Sequence, residues 1–152
     1  MNMTKRVRTV RVAAMDYLSR REHSTHELRQ KLLDKDYESG EVDEALERLC
    51  QQGLLSDERF TEAFIAYRQQ RGSGPFKINA ELRQKGVSDA MIARFLDERD
   101  SHWLDVARDV RNKKFGDALP SDIKEKARQT RFLQQRGFTH EQTRCLLRDD
   151  DF

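Results

Sequence analysis

Apolar residues recur at intervals of three and four positions along most of the chain, the spacing that buries one face of an α-helix. In the first fifty residues this spacing predicts three short helices in succession. Their apolar positions are Val7, Val10, Ala14, Tyr17 and Leu18, then Leu28, Leu32 and Leu33, then Val42, Ala45, Leu46, Leu49 and Cys50. The three-helix pattern returns twice and no strand pattern competes with it, so nine helices are predicted.

The second and third rounds carry apolar stripes of their own, which we expect to be buried. The second round has Phe60, Ala63, Phe64 and Tyr67, then Ile78 and Leu82, then Met91, Ile92, Phe95 and Leu96. The third round has Trp103, Val106, Ala107 and Val110, then Ile123, Ala127 and Leu133, then Cys145, Leu146 and Leu147. After the first helix of the third round, the helical pattern begins again at Pro120.

Capping signals mark where several of these helices begin. Ser24 with Glu27, and Thr139 with Gln142, have the spacing of a capping box, in which the two side chains satisfy free N–H groups at a helix start. Pro75 follows two glycines and suits the first position of a helix, where no N–H is needed. The Gly-Pro stretch is therefore predicted to join two helices.

The three rounds superpose at spacings of 50 and 51 residues, and Leu32, Leu82 and Leu133 coincide. Three helix ends coincide as well: Lys35-Asp36-Tyr37, Lys85-Gly86-Val87 and Arg136-Gly137-Phe138. The central residue is predicted to take the left-handed C-cap conformation, which suits Gly and which Asp tolerates. We expect an all-α fold of three tandem three-helix units, 1–53, 54–100 and 101–152, in an elongated or curved row.

Composition changes the expectation from a compact domain to an open one. Hydrophobic residues make up 36% of the chain and charged residues 37%, whereas average domains have about 45–50% and about 25%. This composition fits disorder or an open helical protein, and the regular apolar spacing favours the second. No apolar run approaches the roughly 20 residues of a membrane span. Cys50 and Cys145 form no CxxC pair, so we expect reduced thiols packed as small apolar residues in a cytoplasmic protein.

The net charge is only +2, but it is unevenly distributed. The N-terminus is basic, with Lys5, Arg6, Arg8 and Arg11, and residues 34–47 are strongly acidic. Two further stretches are basic and are candidate contacts for DNA phosphates or an acidic partner. The candidates are Arg59, Arg68, Arg71, Lys77, Arg83 and Lys85, and then Lys113, Lys114, Lys124, Arg131 and Arg136. Solvated surface remains an equal alternative for them.

No set of residues predicts catalysis. His23 and His26 straddle a helix start, where an exposed polar pair is the preferred interpretation over a metal site. Residues 72–75 lack the lysine and the preceding strand of a phosphate-binding loop. The Ser and Thr residues fall at helix starts, where capping explains them. We therefore expect no enzyme, no cofactor and no metal.

The central part of the chain resembles the RecX family. The resemblance rests on Gly53-Leu54-Leu55-Ser56-Asp57-Glu58-Arg59-Phe60, on Arg68, on Arg71-Gly72-x-Gly74-Pro75 and Ile78, and on Glu81-Leu82-Arg83-x-Lys85-Gly86. It extends weakly over most of the chain, from about Val10 to Leu147. Within these motifs and the matching C-terminal one, the expected structural residues are Asp57, Phe60, Gly74, Pro75, Ile78, Leu82, Gly86 and Gly137.

The resemblance implies a cytoplasmic regulator of the RecA recombinase. Family members bind the RecA filament on DNA and suppress strand exchange, ATP hydrolysis and coprotease activity, and so modulate DNA repair and the SOS response. The implied partners are the RecA filament and, through the basic faces, single- and double-stranded DNA. No membrane partner is expected, and the chain is expected to be a monomer.

Two other classes of function stay open at the level of the sequence. One is an independent DNA-binding protein that uses helix-turn-helix-like triplets, although the net charge of +2 argues against strong binding on its own. The other is a helical scaffold for an unrelated partner. Binding to bare DNA, compared with binding to RecA filaments, separates these classes.

Overall fold

The computed structural model describes residues 8–148, which form nine α-helices and no strand. The predicted positions Lys5, Arg6 and Val7, and the outer ends of the first and third predicted units, lie outside the described residues. The helices are α1 Val10–Arg20, α2 Thr25–Asp34, α3 Ser39–Gln51, α4 Asp57–Gln70, α5 Pro75–Gln84, α6 Asp89–Phe95, α7 His102–Phe115, α8 Ile123–Gln135 and α9 His140–Leu147. The all-α expectation is confirmed.

The predicted capping signals form the expected hydrogen bonds. The Ser24 hydroxyl accepts from the Glu27 N–H at 3.0 Å, and the Glu27 carboxylate accepts from the Ser24 N–H at 3.3 Å. Thr139 and Gln142 repeat this box at the start of α9. Pro75 is the first residue of α5. These side chains satisfy N–H groups that a helix start otherwise leaves free, and they explain why the helices begin where they do.

The helix ends repeat in the predicted register. The N–H groups of Tyr37, Val87 and Phe138 donate to the carbonyls of Leu32, Leu82 and Leu133 at 3.3, 3.1 and 3.1 Å. The residues before them, Asp36, Gly86 and Gly137, have φ angles of 69°, 80° and 100°. The left-handed C-cap is therefore confirmed in all three units, including the unit where Asp replaces Gly.

Buried apolar side chains form two cores. The first core contains helices α1 to α3 and Leu55, with Leu28, Leu32 and Leu49 fully buried. The second core spans α4 to α9 and runs continuously from Phe60 to Leu147. The second and third units therefore bury their apolar faces together, as neighbours do in helical repeat proteins.

The joint between the second and third units is a close crossing of two backbones. The N–H of Gly74 donates to the Arg136 carbonyl at 2.7 Å, and the N–H of Phe76 donates to the Gly137 carbonyl at 2.9 Å. A Cβ atom at Gly74 would stand 2.5 Å from the Phe138 nitrogen, which is too close for any side chain. Gly74 is therefore required by the approach of another chain segment, and Gly137 by its positive φ as well.

The joint between the first and second units is polar. The Asp57 carboxylate accepts from the Thr25 N–H at 2.7 Å, and the Ser24 hydroxyl donates to the Lys85 carbonyl at 2.6 Å. The Glu27 carboxylate bridges Arg21 and Lys85 at 2.6 and 3.1 Å. Asp57, expected only as a helix-start residue, therefore also fixes one unit to the next.

Four predicted core positions of α3, α8 and α9 are wrong, since Cys50, Cys145, Ile123 and Ala127 are all exposed. Cys50 and Cys145 are exposed, because the buried faces of their helices run through Leu46 and Leu49, and through Leu146 and Leu147. Ile123 is 85% exposed, because the buried part of α8 begins only at Gln129. That helix also begins three residues after Pro120 and is capped by Asp122.

The buried face of α4 and the environment of His23 also differ from expectation. Ala63 and Tyr67 are exposed, since α4 turns Phe60 and Thr61 inward instead. His23 is only 1% exposed. Its Nδ1 lies 3.0 Å from the Arg21 carbonyl and its Nε2 lies 2.9 Å from the Lys31 ammonium. It is thus a buried, hydrogen-bonded residue and not half of an exposed pair.

Candidate anion-binding groove

A groove with a basic lining runs between the end of α4, one face of α7 and the end of α8. It encloses about 950 Å³. Its four cationic residues come from both of the basic stretches identified in the sequence: Arg71, Lys113, Lys114 and Arg136. Among residues 8–148, Asp109 is the one carboxylate in the lining. The fold therefore brings together cations that lie up to 65 residues apart in the chain.

Local helix chemistry places the cations at this groove. Arg71 is the C-cap of α4, Arg136 is the C-cap of α8, and Lys113 and Lys114 lie in the last turn of α7. Cations are favourable at helix C-termini because the carbonyl ends carry partial negative charge. Each cation thus stabilises its own helix, and the packing of three helix ends concentrates the charge in one place.

Aromatic rings contact three of these cations, and the Lys114 ammonium lies 5.6 Å from the centre of the Phe132 ring. The Arg71 guanidinium lies 5.1 Å from the centre of the Tyr67 ring and donates from Nε to its hydroxyl at 3.0 Å. The Arg136 guanidinium lies 5.2 Å from the Phe132 ring and donates to the Arg71 carbonyl at 3.3 Å. Such contacts orient the guanidinium groups without neutralising them.

The four groove cations form no ion pair within residues 8–148, although twelve ion pairs link other side chains there. Their charge is therefore available to an anionic partner. A phosphodiester backbone or a run of carboxylates fits a groove of this kind, because a guanidinium binds either group through paired hydrogen bonds.

The other basic candidates from the sequence fall into two groups, those that pair with carboxylates and those that are exposed away from the groove. Four of them pair with carboxylates, so the local patch expected around the Gly-Pro joint is broken up. The pairs are Arg59 with Glu22 at 2.9 Å, Arg68 with Glu81 at 3.2 Å, Arg83 with Asp89 at 2.8 Å, and Lys85 with Glu27 at 3.1 Å. Lys77, Lys124 and Arg131 are exposed and do not line the groove.

Glu27 is a central residue that the sequence indicated only as a capping residue. Burial raises the pKa of its carboxyl, hydrogen bonds from Arg21 and Lys85 lower it, and the net pKa is about 2. Burial likewise lowers the pKa of His23, although the hydrogen bond to the Arg21 carbonyl opposes this. At neutral pH Glu27 is therefore ionised and His23 is neutral, which fits its contact with Lys31.

The sequence analysis did not predict Asp109 as a groove residue, and it assigned Val106 and Val110 only to the core. On α7, Val106, Asp109, Val110, Lys113 and Lys114 follow the three-and-four spacing of one helix face. That spacing was visible in the sequence, but nothing indicated that α4 and α8 would end beside this face.

Residues 8–148 contain neither a metal-binding cluster nor a membrane-spanning helix. No group of three His, Cys, Asp or Glu side chains is placed to hold a metal ion. None of the nine helices is long and apolar enough to cross a bilayer.

Comparison with known proteins follows the same three-part division of the chain. Residues 11–49, 56–96 and 100–147 match the models of the first, second and third three-helix domains of RecX. The chain belongs to the RecX family. Its three-unit organisation is thus that of the RecX domain series, and the sequence resemblance is confirmed.

Relatives within the RecX family are similar over most of their length. The regulatory protein RecX of Halorhodospira halophila (strain DSM 244 / SL1) is 47% identical over 136 residues, which cover 90% of this chain and 84% of the relative. The regulatory protein RecX of Ectopseudomonas mendocina (strain ymp) is 41% identical over 142 residues, which cover 93% of this chain and 95% of the relative.

Solved RecX structures share the fold. The crystal structure of RecX from Lactobacillus salivarius superposes with a TM-score of 0.77 at 18% identity and covers 92% of this chain and 93% of that one. A second crystal structure, of a regulatory protein RecX, gives a TM-score of 0.78 at 20% identity, over 93% of this chain and 72% of that one. The succession of three-helix units is therefore common to these structures.

Proposed function

We propose that this chain regulates RecA by binding the RecA filament on DNA, and that the basic groove is one of its contact surfaces. Membership of the RecX family supports the regulatory role. The observation that carries the groove is the convergence of four cations without an ion pair among residues 8–148. A nucleoprotein filament offers both phosphates and carboxylates as partners for such a groove.

The proposed mechanism is inhibition by binding, without catalysis by this chain. Bound to the filament, it suppresses strand exchange, ATP hydrolysis and coprotease activity by hindering filament extension or conformational cycling. The acidic face of α3 supports a second contact, since Glu41, Asp43, Glu44 and Glu47 are exposed there and suit a basic protein surface. Contacts from separate units add through high effective concentration, so each one can be weak.

The groove is tested by measuring RecA ATP hydrolysis on single-stranded DNA at increasing concentrations of this protein. In the variant R71E/K113E, two groove cations become anions that repel phosphates and carboxylates. We expect half-maximal inhibition to need about tenfold more protein, which corresponds to about 1.4 kcal/mol of lost binding. Melting temperature should fall only slightly, because both side chains are exposed and the charge reversal costs only the modest interaction of each cation with its helix C-terminus.

The matched control is K124E/R131E, which changes the net charge equally at two exposed cations outside the groove. Equal loss of inhibition in both variants would show that total charge matters and the groove does not. If the wild-type protein left RecA ATP hydrolysis unchanged, the proposed inhibitory function itself would be wrong.

A further inference from the structure

The last helix of each unit, with the residues just after it, presents corresponding exposed positions, and their charge changes from acidic to basic in the third unit. In the register of 50 and 51 residues, three positions spaced four residues apart coincide. They are Ser39, Asp43 and Glu47 in the first unit, Asp89, Ala93 and Asp97 in the second, and His140, Arg144 and Arg148 in the third. All nine residues are exposed. Arg144 stands where the other units have Asp43 and Ala93, and Arg148 stands where they have the carboxylates of Glu47 and Asp97.

In the third unit this face borders a cleft of about 390 Å³ between α8 and α9. The cleft gathers Lys126, Arg144 and Arg148, with Leu147 buried at its base, and no carboxylate among residues 8–148 lines it. The one acidic residue of α9 is Glu141, in the first turn, where a negative charge suits the helix start. The cations of the cleft are separate from those of the basic groove.

The ion pairs that the last helices of the first two units form have no counterpart in the described part of the third unit. In the first unit Arg29 of α2 pairs with Asp43 of α3 at 2.7 Å, and in the second unit Arg83 of α5 pairs with Asp89 of α6 at 2.8 Å. The positions that correspond to Arg83 and Asp89 in the third unit are Gln134 and His140, which are 3.4 Å apart. Within residues 8–148, Lys126, Arg144 and Arg148 form no ion pair.

From this reversal we infer that the third unit is the part of the chain that binds nucleic acid, through phosphate contacts of Arg144, Arg148 and Lys126. Phosphate backbones attract clustered cations and repel the acidic faces of α3 and α6. The last helix of a three-helix unit is also the element that enters the DNA groove in helix-turn-helix proteins. The first two units have Asp43, Glu47 and Asp97 at the corresponding positions, so their last helices are left for protein contacts.

The nucleic-acid contact of the third unit rests on the proposed function and adds which unit touches nucleic acid. The experiment omits RecA, so that the nucleic-acid contact and the inhibition of RecA can each fail independently. Fluorescence anisotropy with a labelled 24-base-pair DNA duplex, at 50 to 200 mM salt, compares the wild type with R144A/R148A. We expect weaker binding, and a slope of log affinity against log salt that is shallower by about two, because each lost phosphate contact removes about one unit.

The matched control is R48A/R94A, which removes two exposed cations from the last helices of the other two units. It should leave the affinity and the salt slope near wild type. Equal losses in both variants, or no binding by the wild type at 50 mM salt, would overturn the inference. So would equally tight binding of poly-glutamate at the same cleft, since that would indicate an acidic protein partner. Residues 149–152 stay unchanged in every variant.

Discussion

At the scale of single residues, Glu27 takes part in three interactions, although its position in the sequence indicates only the capping one. Its carboxylate caps α2, receives the Arg21 guanidinium, and holds the Lys85 ammonium of the neighbouring unit. Only 7% of its side chain is exposed. A charge in such a place is stable only because both partners are present, so its contribution depends on pH.

The pH dependence has a defined sign. The folded pKa of Glu27, about 2, lies below its ordinary value of 4.5, so its contribution is complete above pH 4.5 and is lost as pH falls towards 2. Since one pKa unit corresponds to about 1.4 kcal/mol, the loss is on the order of 3 kcal/mol. We expect E27Q to be less stable at pH 7 and to lack this part of the acid dependence in urea titrations between pH 2 and 6.

The control is D43N, at the exposed pair between Arg29 and Asp43. The pKa of Asp43 is lowered by its hydrogen bond to Arg29, but such a surface pair contributes little, so D43N should follow the wild-type curve. His23 is unchanged in both variants, and its lowered pKa removes stability as pH falls below 6.5. Parallel curves for E27Q and wild type would contradict the role given to Glu27.

Gly74 makes a second prediction at this scale. The nearest atoms to an added Cβ are backbone atoms of Gly137 and Phe138 at 2.5 Å, which cannot rotate away. G74A should therefore lower the free energy of unfolding by about 1–3 kcal/mol, the usual effect of overpacking. Guanidinium unfolding followed by circular dichroism measures this change.

The comparison variant is G40A, in the first turn of α3. There an added Cβ meets only the flexible Glu38 side chain, at 3.1 Å. Alanine is a better helix former than glycine, so G40A should be neutral or stabilising by up to about 1 kcal/mol. A G74A protein as stable as G40A would show that the backbone crossing can relax.

At the scale of helices, the sequence predicted what local chemistry decides. Capping at Ser24 and Thr139 and the left-handed ends at Asp36, Gly86 and Gly137 are confirmed, because each depends on a few neighbouring residues. The exposed sides of α4 and α8 were predicted less well. Which side of a helix is buried near its end depends on where the neighbouring helices stop, and local spacing does not contain this information.

Arg111 is a basic residue whose burial the sequence did not predict. In the sequence it is one more basic residue of α7, yet it is only 2% exposed. Its guanidinium donates to Gln129 of α8 at 3.1 Å, and also to the Asn112 side chain and the Ala118 carbonyl. It therefore fixes the segment between α7 and α8, a role that no charge pattern distinguishes from solvated surface.

The residues of the basic groove could be predicted from the sequence only in part. Arg71, Lys113, Lys114 and Arg136 were all among the sequence candidates, because clustered charge is visible in a sequence. The sequence could not show which four of the eleven candidates line the groove. That depends on the carboxylates that pair with Arg68, Arg83 and Lys85 in the folded chain.

At the scale of the whole molecule, three sequence repeats make two cores. The second and third units share apolar side chains, whereas polar contacts centred on Ser24, Glu27 and Asp57 bind the first unit to the second. Cooperative unfolding requires a shared core, so the two parts should not unfold as one. The elongated row stays a prediction.

Calorimetry tests this division. We expect two overlapping thermal transitions at neutral pH, so that the calorimetric enthalpy exceeds the van't Hoff enthalpy. E27Q should move one transition to lower temperature and leave the other nearly in place, because Glu27 lies in the first unit and at its joint. A single two-state transition that E27Q shifts as a whole would contradict independent cores.

The polar joint between the first and second units also decides how the protein responds to force. If the protein binds a filament as proposed above and is attached at both ends, a change in filament length would pull its units apart. Polar contacts have a short range and re-form readily, whereas separating a shared apolar core exposes a large area to water. The polar contacts at Glu27 would therefore break first under force and re-form when the force falls. It would act as a compliant coupling that lets the protein stay attached through a change in filament length.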